Sequence, residues 1–374
     1  MDLRRRLRSA LRRSPRRVGL SPAGERAFAF ALAGFVVVFV WGWTYALRRA
    51  LADRPASAAV ARYSAQIARN PLAANAPPVA AFALDELVRQ ATAALQPYGG
   101  LSGRVRLVVL EPDDTLPLPD SLAPGARIVL RDPRGRTANP RQPPPGVWNL
   151  LLQMRDALRP VGDFAVARLV PLSERRGGRI GGYLVGTWPF ERGSPPQPIY
   201  RPPSGFIEVT PMNVNLRVSE HFRLGDFLTK GQGHVWPKYV VVSPRLLDKL
   251  ELTLQELERS GHPVRHVFVV SGFRTPYYNE YGGDPSGRGA LSRHMYGDAA
   301  DIAVDNDRNG CMDDLNGDGR VDVRDARLLA QAAERVEERF PSLVGGIGVY
   351  APTGAYCGFV HIDTRGYRAR WGAW

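Results

Sequence analysis

Hydrophobic and polar positions divide this chain into stretches of different rhythm. Residues 27–47 form an uncharged run of twenty-one positions rich in Phe, Val, Ala and Trp. As a helix the run would be roughly 30 Å long, the thickness of a hydrocarbon core, which predicts a transmembrane anchor. Residues 48–100 turn Ala-, Arg- and Pro-rich and read as a linker, with one amphipathic helix over 81–95. Over 101–191, short apolar runs such as 105–110, 126–130 and 180–188 are separated by Pro and Gly clusters, the pattern of a small β-rich domain. Residues 192–203, with Gly193, Pro195, Pro196, Pro198, Pro202 and Pro203, predict a boundary, and a further domain is expected over 204–374.

Within that last stretch the period changes again. Ser243 and Pro244 predict a helix start, with Ser as the cap and Pro in the first turn, where no donor is needed. Leu246, Leu247, Leu250, Leu254 and Leu257 form its apolar face as far as Ser260 and Gly261. A strand over 267–270 follows. Residues 298–304 and 358–364 read as two further strands, in which positions of one parity share a face. Asp301 then lies with Ala299 and Ala303, and His361 lies with Asp363, while Val360 and Ile362 point the other way. A second helix is expected over 323–340, with Leu328, Leu329, Ala332 and Val336 on one side. The fold class this predicts is α+β, with an antiparallel sheet.

Charge adds a direction. Residues 1–26 carry nine Arg against Asp2 and Glu25, a net of +7. This excess assigns the basic tail to the cytoplasm and the remainder to the periplasmic or extracytoplasmic side of the cytoplasmic membrane. Trp41, Trp43 and Tyr45 would form the interfacial belt at the far end. A cleaved signal peptide is the rival reading, but its apolar region is usually shorter and no small-x-small cleavage site stands out. The whole chain is +14, half of it in the tail. No aromatic-interleaved basic stripe accompanies the rest, which argues against a nucleic-acid partner and fits work at an anionic cell envelope.

Candidate chemistry gathers in the run from Ser292 to Asp301 and in Phe359-Val360-His361-Ile362-Asp363. His294 and Asp301 are seven apart, which is not the helical i, i+4 spacing, and Gly297 between them reads as a turn. Two neighbouring strands would present Asp301 and His361 side by side, with His294 closing the set. Two imidazoles and a carboxylate suit one zinc ion and leave a fourth position for water. The bland alternative for each His is an ordinary core residue. His221, His234, His262 and His266 have no ligand-like company.

These residues also carry a family resemblance. Ser271-Gly272-Phe273-Arg274-Thr275-Pro276-Tyr277-Tyr278-Asn279, then Ser292-x-His294-x-x-Gly297-x-Ala299-x-Asp301, then Val360-His361-Ile362-Asp363, resemble the M15-type zinc peptidases, nearest in pattern to the branch around murein endopeptidase K. The likeness covers roughly 200–374, with Val218-Ser219-Glu220-His221-Phe222 and Pro237-Lys238-Tyr239 upstream. It implies a zinc peptidase fold of the hedgehog-like type, zinc on His294, Asp301 and His361, and Arg274 near the substrate carbonyl or carboxylate. It also implies peptidoglycan peptides as substrate, cut by an endopeptidase or a carboxypeptidase. Arg274 could instead be a structural ion-pair partner. Some relatives place a Glu three residues, or a His two residues, before the last zinc His; here those positions are Gly358 and Phe359. Asp363 is then the first candidate for the general base, or else it orients a zinc imidazole.

A second metal signature lies at 305–325. Asp314, Asn316, Asp318, Asp322 and Asp325 take loop positions 1, 3, 5, 9 and 12, with Gly319 at position 6, the pattern of a calcium loop. Just upstream, Asp305, Asp307 and Asn309 begin a similar loop for a weaker calcium site, without a good closing acid. The alternative for both is an acidic solvated turn. Cys311 and Cys357 are the two cysteines, either bridged or free, and a bridge would tie the insertion to the last zinc strand. The expected activity is metal-assisted amide hydrolysis. The alternative, motivated by Gly358 and Phe359, is a metal-stabilised module that binds the cell wall or a partner without cleaving it.

Overall fold

The computed structural model describes residues 88–89, 96–116, 118, 126–154, 157–285, 288–353 and 357–374. The basic tail, the apolar run 27–47 and nearly all of the helix expected over 81–95 lie outside the described residues. Among those described, no helix is long and apolar enough to cross a membrane.

The architecture is mixed α/β with mostly antiparallel sheets. The first sheet takes β1 (Leu107–Leu110), β2 (Ala126–Arg131), β3 (Thr137–Ala138), β4 (Gly146–Met154) and β5 (Ala157–Arg168) in the order β1-β5-β4-β2-β3. The runs predicted near 105–110 and 126–130 supply two of these strands. Only the β1–β5 pairing is parallel. The run predicted over 180–188 breaks early. With β6 (Val170–Pro171) behind it, the chain folds β7 (Arg179–Ile180) onto β8 (Tyr183–Leu184) as a hairpin, turning at Gly181 with φ +54°. β9 (Gly205–Val209) then pairs with β6 on one side and β10 (Lys238–Val240) on the other.

The third sheet carries the candidate chemistry. Its strands are β11 (Val267–Ser271), β12 (Ala299–Val304), β13 (Gly346–Tyr350), β14 (Phe359–Asp363) and β15 (Ala369–Gly372), in the order β11-β12-β14-β13-β15. Three helices accompany it: α1 (Pro244–Arg259), α2 (Pro276–Tyr281) and α3 (Val323–Arg339). The Leu stripe of α1 is buried in full, as the 3.6-residue period requires. It packs with Ala326, Leu329, Ala330 and Ala333 of α3 and with Ile302, Val360 and Ile362 of the sheet, so one sheet face is closed by helices. The opposite parity, Asp301 and His361, is left for the site. Pro244 occupies the first helical turn as predicted, but Ser243 makes no side-chain capping bond; its amide donates to the Gly297 carbonyl.

One hydrophobic core joins the first sheet to the third. Val105, Leu107, Val147 and Ala167 belong to the same cluster as Phe206, Leu250, Leu329 and Ile362. The Pro-rich stretch 192–203 includes a short turn, Pro198–Tyr200, whose Tyr200 ring meets Tyr296 edge-on at 5.9 Å.

Candidate metal centre

The register of the third sheet builds the site. Asp301 on β12 is the direct partner of His361 on β14, so both side chains leave the same face at the same level. His294 comes from a 3₁₀ turn, Arg293–Tyr296, that leads into β12. Gly297 ends this turn at φ +71°, and a Cβ there would stand 2.4 Å from the Val241 carbonyl oxygen, so conformation and close approach both require glycine. Buried Arg293 anchors the turn from behind: its guanidinium grips Asp298 and donates to the Ile199 carbonyl.

Three atoms converge. His294 Nε2 is 3.2 Å from Asp301 Oδ1 and 3.1 Å from His361 Nδ1, which is itself 2.8 Å from Asp301 Oδ1. Ligand atoms about 2.05 Å from a tetrahedral zinc would lie about 3.3 Å apart. The remaining ring nitrogens are directed outward. His294 Nδ1 donates to the Gly272 carbonyl at 2.7 Å, and His361 Nε2 donates to Asp363 Oδ2 at 3.0 Å. A carbonyl only accepts, so neutral His294 keeps its lone pair on Nε2; the Asp363 bond likewise leaves the lone pair of His361 on Nδ1. Two imidazole lone pairs and a carboxylate oxygen thus aim at one point, and the residues present fit a zinc ion.

Electrostatics agree with that use. All three candidate ligands are buried. Burial lowers the basicity of His294, against the pull of Asp301. Burial also acts on His361, but its bonds to Asp301 and Asp363 outweigh it and raise the pKa. For Asp301, burial opposes ionisation, yet the two imidazoles hold its carboxyl well below the usual range. Metal binding would therefore displace a proton from His361, while His294 is already held neutral.

Arg274 leaves the end of β11 and donates from Nη2 to Asp301 Oδ2 at 2.7 Å and from Nε to Ser271 Oγ at 2.7 Å. It lines the cleft as well as holding the ligand's second oxygen. The alternative open for Asp363 takes a definite form. Its Oδ1 accepts from the Gly346 and Arg365 amides, and its Oδ2 faces His361 while Arg365 embraces both oxygens. It stands at the edge of the imidazole away from Asp301 and His294, the place of an orienting partner. Arg365 and Gly272 belong to this arrangement and were not read from sequence. Arg365 was within reach, two residues past the end of β14.

The cleft beside the ligands has a volume of about 670 Å³. Tyr350, Phe359 and Trp371 line it together. Tyr350 and Phe359 stack at 4.5 Å, and the Trp371 indole N–H donates to the Tyr350 hydroxyl. His361 lies 5.0 Å from the Trp371 ring.

The oxygen-rich loops are placed differently from one another. Asp305, Asp307 and Asp313 bring carboxylate oxygens within 4.8 Å of one another; Asp313 was not among the residues expected there. Asn309 bonds Asp307 through its side-chain amide. In the second loop, Asp314 accepts from the amides of Gly317, Asp318 and Gly319, and Asn316 accepts from Asp318. Asp325 accepts from Leu315, Asn316 and Asp322, while Asp318 and Asp322 pair with Arg324. Among the described residues, no three acids of this second loop gather as the first three do. Cys311 and Cys357 form a disulfide with Cα atoms 5.0 Å apart, joining the insertion to the approach of β14. Of the other histidines, His221 bonds buried Glu251 at 2.8 Å, and His266 Nδ1 meets the Asp305 carbonyl.

Comparison with protein families, with curated proteins and with solved structures finds no match to this chain.

Proposed function

We propose that this chain is a zinc metallopeptidase that hydrolyses amide bonds of peptidoglycan stem peptides on the outer side of the cytoplasmic membrane. The observation that carries the proposal is the convergence of His294 Nε2, Asp301 Oδ1 and His361 Nδ1, with both distal ring nitrogens bonded outward. A zinc ion bound there would supply Lewis acidity and lower the pKa of water. The chain's own groups fix its ligands: Gly272 and Asp363 set the imidazoles, and Arg274 holds the free oxygen of Asp301. Arg274 also faces the cleft, where its remaining donors are placed to bind a carbonyl oxygen. The substrate class rests on the motif likeness to M15-type peptidases. Calcium at the acidic loops, as a structural brace, belongs to the same reading.

One observation favours a second reading. Both oxygens of Asp363 are occupied by His361, Arg365 and the Gly346 amide, so Asp363 is not free to serve as the base. A metal-stabilised module that binds cell-wall peptides without cleaving them accommodates this. Mass spectrometry of peptidoglycan fragments after incubation with the full chain separates the two. The expected outcome is zinc-dependent loss of one fragment class, absent with the His361→Ala variant. Intact fragments beside a folded, zinc-loaded chain would select the binding module.

A further inference from the structure

Five cationic side chains line the cleft: Lys230, Arg274, Arg288, Arg293 and Arg365. Three are neutralised by a carboxylate, Arg274 by Asp301, Arg293 by Asp298 and Arg365 by Asp363. Among the described residues, Lys230 and Arg288 pair with no carboxylate. Asp284 also lines the cleft, but it is exposed and has an interaction of its own.

Arg288 is nonetheless held in place. Its Nη1 donates to the carbonyls of Tyr278 at 2.7 Å and Gly282 at 2.6 Å, and its guanidinium lies 4.8 Å from the Tyr278 ring centre. Carbonyl bonds orient the group without cancelling its charge. They also leave the Nε and Nη2 edge without an acceptor among the described residues, and that edge of a guanidinium matches a carboxylate with two parallel bonds. Lys230 is exposed and lines the same cleft, and the backbone beside it runs close to the Tyr278 ring, 3.8 Å from where a Cβ on Gly231 would stand. Two cations that pair with no carboxylate among the described residues therefore line the cleft beside the candidate metal ligands, one of them fixed against the Tyr278 ring.

We propose that Lys230 and Arg288 form a subsite for a carboxylate carried by the peptide substrate. The identity of the ligand as a peptide rests on the peptidase reading; the demand for an anion rests on the two cations. A stem peptide offers two sources, its C-terminal carboxylate and that of an acidic residue within it.

The test titrates the zinc-loaded full chain with a synthetic stem pentapeptide in three forms, unmodified, amidated at the C-terminus, or amidated at the internal acid. Binding is read by calorimetry and cleavage by mass spectrometry on the same samples. One of the two amidations is expected to weaken binding about tenfold, which also names the source of the carboxylate. Arg288→Gln and the double variant Lys230→Gln/Arg288→Gln should remove that preference, and Arg288→Lys should restore part of it. Zinc content and near-ultraviolet circular dichroism report that each variant is folded. Equal affinity for all three forms overturns the subsite, as does a preference that survives in the double variant. Cleavage without any carboxylate preference would overturn the subsite and keep the peptidase. A preference abolished by the variants, with no cleavage, would keep the subsite and remove the peptidase.

Discussion

Asp363 spends both of its oxygens on holding neighbours. Burial opposes its ionisation, but His361 and Arg365 keep its carboxyl well below the usual range, so it stays an anion that fixes one tautomer of His361. Asp363→Asn should therefore lower zinc affinity about 10–100-fold, measured by competition with a chromophoric chelator. Unchanged zinc affinity with lost turnover would identify a proton-transfer group instead. Strand parity alone placed His361 and Asp363 on one face; that Asp301 stands beside His361 follows only once the two strands are neighbours. Parity does not say which edge of an imidazole a carboxylate meets. That choice is made by Arg365 and by the Gly346 amide on β13, a contact between residues seventeen apart. Asp313 escaped notice for a related reason: spacing along the loop does not show which acids the backbone folds together.

Lys249 ties three elements together. It lies on α1 between Leu247 and Leu250, where the helical period suggests a flank, yet it is fully buried. Its ammonium donates at 2.6 Å to Glu337 on α3 and at 2.6 Å to the Asp363 carbonyl at the end of β14. Glu337 in turn accepts from the Gly345 amide and pairs with Arg370 on β15. Burial disfavours the charged lysine, and Glu337 opposes that cost. Lys249→Met leaves Glu337 short of a partner and should destabilise the fold by about 3–5 kcal/mol, read from urea unfolding. Helices α1 and α3 were legible to within a residue or so because apolar periodicity is strong over sixteen or seventeen positions, whereas the six-residue α2 is too short to show one. Capping was less legible. A Ser before a Pro fits the statistics of helix starts, but here the Ser243 hydroxyl makes no cap and the residue is held through its amide by the Gly297 carbonyl.

Across the whole molecule, the Cys311–Cys357 bridge spans 46 residues and joins the acidic insertion to the approach of β14. Its loss in Cys357→Ser should cost about 2–4 kcal/mol, measured by unfolding with and without reductant. Over 101–191 the apolar runs at 105–110 and 126–130 marked β1 and β2, whereas β4, β5 and the strand order were not legible. The parallel pairing of β1 with β5 joins segments more than fifty residues apart, and no local pattern records it. The pairing of β12 with β14 is equally non-local, and the candidate metal centre is assembled in only one register of it. A slip of one residue would place Val360 or Ile362 opposite Asp301 and turn His361 toward the helices. If the centre takes zinc as proposed, metal uptake would report sheet register: a misaligned chain could keep its hydrophobic content and still fail to load the ion.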